Sequence, residues 1–437
     1  MTKKQQAHNE TGIAHVGLVL LAVVLLTVGL VGYRVYSKNN ANKASVNDHP
    51  VTQVNKSANS LGDPNSSDPT TKGKALSGGQ CTGKGSKPLT HAPMDMKDVV
   101  TIQPYGLMVD GHVTPVDHEY YYPAINSAPD SYPVYADADG TIVSIGSETS
   151  TKWAVVISHN SCTFFSWYNL MTSLSKNITD KMPAGWGPNN QGGISIAVKS
   201  GDLLGYVGGQ SLDYAVWNTE KTLKGLLNPV AYNNSEPGKI NTVPPLDYFT
   251  QAVRSQILPK YIRTAQPLDG TLAYDVDGQA VGTWFLAGTN GYAGSNDPSH
   301  PSGYWSGHLS LAYNYLDPAA MEFSIGDYQG QPKQFAVKSG PNWTKITPSS
   351  GIAKVELAQL NMVNSSGTVW TGQFDKGVTL QPGTTMATAL LQLTGKQTMK
   401  VEVFPGKTPS QVSGFDSNAK TYDRGQTAHM ITSTTAH

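Results

Sequence analysis

His112, Asp117 and His118 stand close together in the chain, and His159 and Asp213 follow and begin apolar runs further on. Imidazoles and carboxylates in that number could serve a divalent cation, since a catalytic zinc takes three protein ligands and leaves a fourth position for water. The set His112, Asp117 and Asp213 is therefore one reading. Surface or hydrogen-bonded histidines, with no metal and no cofactor, are the other. A nucleophilic mechanism finds less support, because no Gly-x-Ser-x-Gly elbow occurs and neither cysteine carries a Cys/His signature.

Whatever these residues do, strands must position them. Residues 132–170 alternate β-branched and aromatic side chains around Asp139-Gly140, a pair that favours a tight hairpin because glycine accepts a positive φ. A second hairpin is expected about Ser200-Gly201-Asp202, between Ile194–Val198 and Leu203–Val207, with Val216 and Trp217 ending the last strand. Leu246, Phe249, Val253 and Ile257 recur at three- and four-residue steps behind Pro244-Pro245, which predicts a short helix capping this domain, residues 81–262. Tyr120, Tyr121, Tyr122, Trp167, Tyr168, Tyr214 and Trp217 could line a binding groove with flat apolar faces and polar edges, or simply pack the core and its rim.

The composition agrees with a mainly β protein. Of 437 residues 44 are glycine, and charged residues make up 14%, which favours turn-rich sheets over helical bundles. A formal net charge of zero gives no basic stripe, so nucleic acid is not an expected partner. Behind a short polar segment (1–12), residues 13–36 contain an apolar run from Ile13 to Tyr33. That is long enough to cross a bilayer as a helix at about 1.5 Å per residue, and it lacks a small-x-small exit. The expectation is a single-pass, uncleaved anchor with the folded part outside the cytoplasm, then a disordered stalk over 37–80 poor in large apolar residues. Cys81 and Cys162 are either two unrelated thiols or a disulfide tying the start of the folded region to its core; the expectation is the disulfide, which suits an oxidising space.

From 263 to 405 a second all-β domain is expected, a barrel or a sandwich. Turn signals at Asp269-Gly270 and Asp277-Gly278 precede strict alternation in Leu309, Leu311, Tyr313, in Met321, Phe323, Ile325 and in Met399, Val401, Val403. Gly282-Thr283-Trp284 at its first strand resembles the opening of lipocalin-like barrels. The polar tail, 406–437, is expected to be disordered.

Four blocks of the first domain, in order, resemble the lysostaphin-like or LytM-type zinc endopeptidases of bacterial cell walls, over about residues 104 to 218. They are Pro133-Val134-Tyr135-Ala136-Asp137-Ala138-Asp139-Gly140-Thr141-Ile142-Val143, then Val155-Val156-Ile157-Ser158-His159, Trp167-Tyr168-Asn169-Leu170, and Lys199-Ser200-Gly201-Asp202-Leu203-Leu204-Gly205-Tyr206-Val207-Gly208. The resemblance implies a duplicated-hybrid-motif β sheet. It also implies a zinc held by a His-x3-Asp pair and a terminal His-x-His, with a further histidine from a Tyr-x-His-Leu segment. This chain departs from all three. His112 and Asp117 have one residue too many between them, Asn169 replaces the proton-handling histidine, and Leu212-Asp213-Tyr214-Ala215-Val216 replaces the terminal pair, so that a ligand becomes Ala215. A degenerate site that binds a cell-wall peptide, a glycan or a surface protein is the expected function. A diverged zinc peptidase using His112, Asp117, His118 and Asp213 is the alternative.

Overall fold

The computed structural model describes residues 62–425, apart from 150, 184–192, 234–235, 237, 295–302 and 373. Among the described residues the first domain has eleven strands: β1 (Thr101–Gln103), β2 (Glu119–Tyr122), β3 (Tyr132–Tyr135), β4 (Gly140–Thr149), β5 (Lys152–Ser158), β6 (Phe164–Met171), β7 (Ser173–Leu174), β8 (Gly193–Val198), β9 (Leu203–Val207), β10 (Leu212–Asn218) and β11 (Thr242–Val243). One sheet runs β1-β2-β10-β6-β5-β4-β8, with β11 added to β10, and β3-β9-β7 form a second, smaller sheet. Strand β6 covers one side of β10 from Asp213 to Asn218. The other side is shared, β2 pairing with Leu212–Tyr214 and β11 with Val216 and Trp217. That division decides what lies over the site.

The two expected hairpins are corners. Strand β3 pairs with β9, and β4 with β5 and β8, so Asp139-Gly140 carries the chain from the small sheet to the large one and Ser200-Gly201-Asp202 carries it back. Gly201 supplies the positive φ, +83°. Gly140 is needed for space, because a Cβ there would stand 2.6 Å from the Ser158 carbonyl oxygen. The corners clasp each other: Asp139 accepts from the Ser200 amide at 2.9 Å and pairs with Lys199 Nζ at 2.8 Å.

Between the sheets lies the core of Val134, Ile142, Val155, Ile157, Leu204 and Val216, among others, all fully buried. The expected helix is real but shorter, α4 (Gln251–Ile257), following α2 (Lys176–Thr179) and α3 (Val230–Asn233) in the chain. Leu246 and Phe249 reach the same core from the turns before it.

Eight further strands form a closed barrel: β12 (Gly282–Leu286), β13 (His308–Tyr313), β14 (Met321–Tyr328), β15 (Gln331–Ser339), β16 (Ala353–Val363), β17 (Thr379–Gly395), β18 (Thr398–Pro405) and β19 (Lys420–Asp423). Each pairs antiparallel with the next, and β19 returns to β12, so no edge is left open. Alternate residues such as Trp284, Leu309, Leu311, Phe323 and Phe335 fill the interior. The barrel packs on the loop before β2: Gln334 exchanges two hydrogen bonds with the Asp110 backbone, both 3.1 Å, and Tyr315 donates to Gln103 at 3.0 Å.

Three parts of the expected architecture need correction. The mainly β reading included a transmembrane helix, but among the described residues no helix is long and apolar enough to cross a membrane, and the Ile13–Tyr33 run lies outside them. The stalk over 37–80 gives way near its end to helix α1 (Pro69–Leu76), capped by Asp68, whose carboxylate accepts from the Thr71 amide at 2.9 Å. The tail from 406 contains β19, which closes the barrel and buries Tyr422.

Candidate functional site

Strand alternation sorts the candidates onto two faces of the large sheet. Asp213, Ala215 and Trp217 of β10 lie opposite Asn169, Trp167 and Phe165 of β6, in that order. His118, Tyr120 and Tyr122 continue this face alongside. Tyr168 and Tyr214 point the other way and are fully buried in the core, which removes them as groove residues. Tyr122, Trp167 and Trp217 are half-buried and remain on the site's face.

The centre of that face is His118. Its Nδ1 is 3.4 Å from Asp117 Oδ1, and its Nε2 is 3.7 Å from Asp213 Oδ2. Three aromatic or imidazole rings crowd it, with centroids at 4.9 Å for Tyr120, 5.5 Å for Trp167 and 6.0 Å for His112. Burial works against a charge on His118, yet Asp213 and Asp117 outweigh it and raise its pKa above the ordinary 6.5. Burial also resists ionisation of Asp117, but Lys239 and His118 prevail and hold it below the usual carboxylate range. His112 is pushed down to about 3 by burial, with His118 adding to the effect. Of the three site residues that sit in one loop, then, His118 gathers the carboxylates and His112 is kept neutral.

The same geometry tests the zinc reading. Asp213, rather than Ala215, is the β10 residue that faces His118, while Ala215 is buried opposite Trp167. Asn169 stands across from Asp213, where it offers an amide in place of an imidazole. Both carboxylates face His118, and among the described residues no three His, Cys, Asp or Glu side chains converge as a metal-holding group.

His159 lies elsewhere. It is fully buried on the core side, 2.8 Å from Ser166 Oγ and 3.4 Å from Asp137 Oδ1. Asp137 accepts from Ser166 and, at 2.6 Å, from the Tyr214 hydroxyl, while its own amide donates to Tyr168 at 3.0 Å. A serine, a histidine and an aspartate thus meet, but Ser166, His159 and Asp137 have no exposure to a substrate. This is a polar pin joining the strand corner to the core face of β6 and β10.

Cys81 and Cys162 form a disulfide with Cα atoms 5.0 Å apart. It fastens the segment carrying α1 to the site's face, where Leu76 packs with Val143, Val156, Phe165, Trp167 and Trp217.

Sequence reasoning missed two residues of the site, Glu236 and Lys239. Lys239 is buried, and its Nζ donates to the Pro115 carbonyl at 2.6 Å and lies 5.4 Å from the Tyr292 ring centre. Glu236 is pushed up to about 7 by burial and by the neighbouring charge of Asp117. Neither residue sits in a recognisable motif, since what brings them in is the pairing of β11 with β10.

No family model matches this chain, and no curated protein matches it. Among solved structures, Csd3 of Helicobacter pylori aligns with 31% of this chain and 33% of its own, at 18% identity and a TM-score of 0.21. The chain therefore spans about a third of that protein's length, and a likeness of this degree carries no argument about the site.

Proposed function

We propose that the first domain is a non-catalytic, peptidase-like module that binds a cell-wall or surface ligand, a peptide, glycan or protein, along the strip Tyr122–His118–Trp167. One observation supports the loss of catalysis: His118 lies between Asp117 of its own loop and Asp213 of β10, and among the described residues no three His, Cys, Asp or Glu side chains converge as a group that would hold a metal-bound water. The half-buried aromatic rings beside it are suited to stacking on a sugar or a peptide plane. The four sequence blocks shared with LytM-type enzymes support a cell-wall ligand. The disulfide supports an oxidising, extracytoplasmic setting.

The test is to incubate the purified protein with cell-wall peptides and glycan strands and to follow binding, cleavage and zinc content after dialysis together. Binding that Trp167→Ala removes, with no cleavage, is the expected result. One-to-one zinc, with turnover that Asp117→Ala abolishes, would replace this reading with a diverged zinc peptidase.

A further inference from the structure

Lysine is seldom buried without a specific partner, yet Lys239 is 2% exposed. Its ammonium meets two kinds of group that recognise such a cation: the Pro115 carbonyl accepts from it at 2.6 Å and the Tyr292 ring lies beneath it at 5.4 Å, while its charge reaches the carboxyl groups of Asp117 and Glu236. The residue before it is also seated on the strip. Gly238 lies so flat on the Trp217 indole that a Cβ would stand 2.4 Å from Cε2. A buried ring nitrogen next to this segment, Trp217 Nε1, has no hydrogen-bond partner among the described residues. A bound peptide's carbonyl oxygen would give it one.

We propose that Lys239 is a tethered occupant of an ammonium site, and that the strip's ligand is a peptide whose side-chain ammonium takes Lys239's place. Thr242 and Val243 pair with β10 and Ile240 packs among Tyr232, Phe285 and Tyr292, so the withdrawal is confined to Gly238 and Lys239 and breaks the hydrogen bonds that the Gly238 carbonyl accepts from the Asn241 amide at 3.0 Å and the Thr242 hydroxyl at 3.3 Å. This inference rests on the binding reading above and adds to it the class of ligand and an internal competitor.

The experiment compares two fluorescent tetrapeptides, one with a single lysine and one with norleucine at that position, on the full chain and on Lys239→Met. Self-occupancy weakens apparent affinity by the fraction of molecules with the site open. If that fraction is a tenth or less, Lys239→Met should bind the lysine peptide at least about tenfold more tightly and leave the norleucine peptide unchanged. Should Lys239→Met fail to fold, hydrogen exchange of the 238–240 amides in the unaltered protein decides, since the lysine peptide should accelerate it. Equal binding of both peptides, or exchange that the lysine peptide leaves untouched, would overturn the proposal. If cell-wall fragments still bind through Trp167 in that case, only the tethered occupant is lost; if they bind nowhere, the binding reading falls with it.

Discussion

His118 Nε2 stands 3.7 Å from Asp213 Oδ2, an ion pair that joins the loop before β2 to strand β10 across the face of the sheet. Asp117 holds the other ring nitrogen. Because the folded protein raises the His118 pKa, this contribution to stability is complete below the ordinary 6.5 and is lost as pH rises through the higher folded value. His118→Gln is expected to destabilise by about 3 to 5 kcal/mol on the acid side of that window, the usual cost of removing one partner from a buried pair. Its penalty should shrink as pH rises. Urea denaturation of both proteins from pH 5 to 9 checks this, and a penalty independent of pH would refute it.

His112 should act in the opposite sense. Folding moves its pKa down to about 3, so below 6.5 the unfolded chain takes up a proton that the folded one refuses. Stability therefore falls as pH drops from about 6.5 toward 3. His112→Asn removes the titrating group and should flatten that acid limb, while His118→Gln should not. Thermal unfolding midpoints between pH 3 and 7 separate the two variants.

The Cys81–Cys162 link spans 81 residues, a long loop to leave open in the unfolded chain. Chain-entropy models give such a closure a value of roughly 4 kcal/mol. The double Cys81→Ser, Cys162→Ser variant should lose about that much, measured by denaturant midpoints under non-reducing conditions. It should also free the α1 segment from the site's face, read as faster proteolysis between residues 62 and 88. A variant as stable and as resistant as the parent would show that the packing of Leu76 on Phe165 suffices without the bond.

Much of this arrangement is legible in the chain, though unevenly. Leu309-x-Leu311 and Phe323-x-Ile325 reveal strands because apolar side chains fill the barrel interior while polar Ser310 and Ser324 take the opposite face, so period-two alternation survives in the sequence although both faces are buried here. The phase is harder to read where both faces carry aromatics. Tyr168 and Trp167 look alike as groove residues until register places one in the core and the other opposite Ala215. Turn chemistry is equally blind to destination, because Asp139-Gly140 makes as good a corner between sheets as a hairpin within one. Lys239 could not be found at all: its carbonyl partner, Pro115, lies 124 residues away, and no local pattern encodes a contact of that kind. Strand β19 hides in a polar tail because only Tyr422 among its apolar groups is buried, and backbone pairing with β12 and β18 supplies the rest.

The closing end of that barrel supplies the last prediction. Arg424, 1% exposed, follows β19 and stacks its guanidinium 3.6 Å from the Trp284 ring centre. It bonds to Asp275 Oδ1 at 2.9 Å and to the carbonyls of Thr283, Gln279 and Val281 at 2.7, 3.0 and 2.8 Å. A planar fork with several donors can satisfy that many acceptors at once, whereas the single ammonium of lysine cannot cover the same directions. Asp275 itself bonds to the amides of Thr283 and Leu227 at 2.8 and 3.0 Å, so the pair connects the first barrel strand, the last one and the segment leading to Lys239. Arg424→Met would keep most of the bulk over Trp284 but leave the Asp275 carboxylate buried and three carbonyls without their donor. The expected loss is about 3 to 5 kcal/mol, as for other buried pairs cut on one side. Arg424→Lys should recover only part of it. Adding Asp275→Asn to Arg424→Met should restore some stability, because the uncompensated charge is gone, although the carbonyls still lack donors. Guanidinium denaturation of the three variants, followed by tryptophan fluorescence, gives the answer: if Arg424→Met and Arg424→Lys are equally stable, the fork geometry is not what holds the barrel closed.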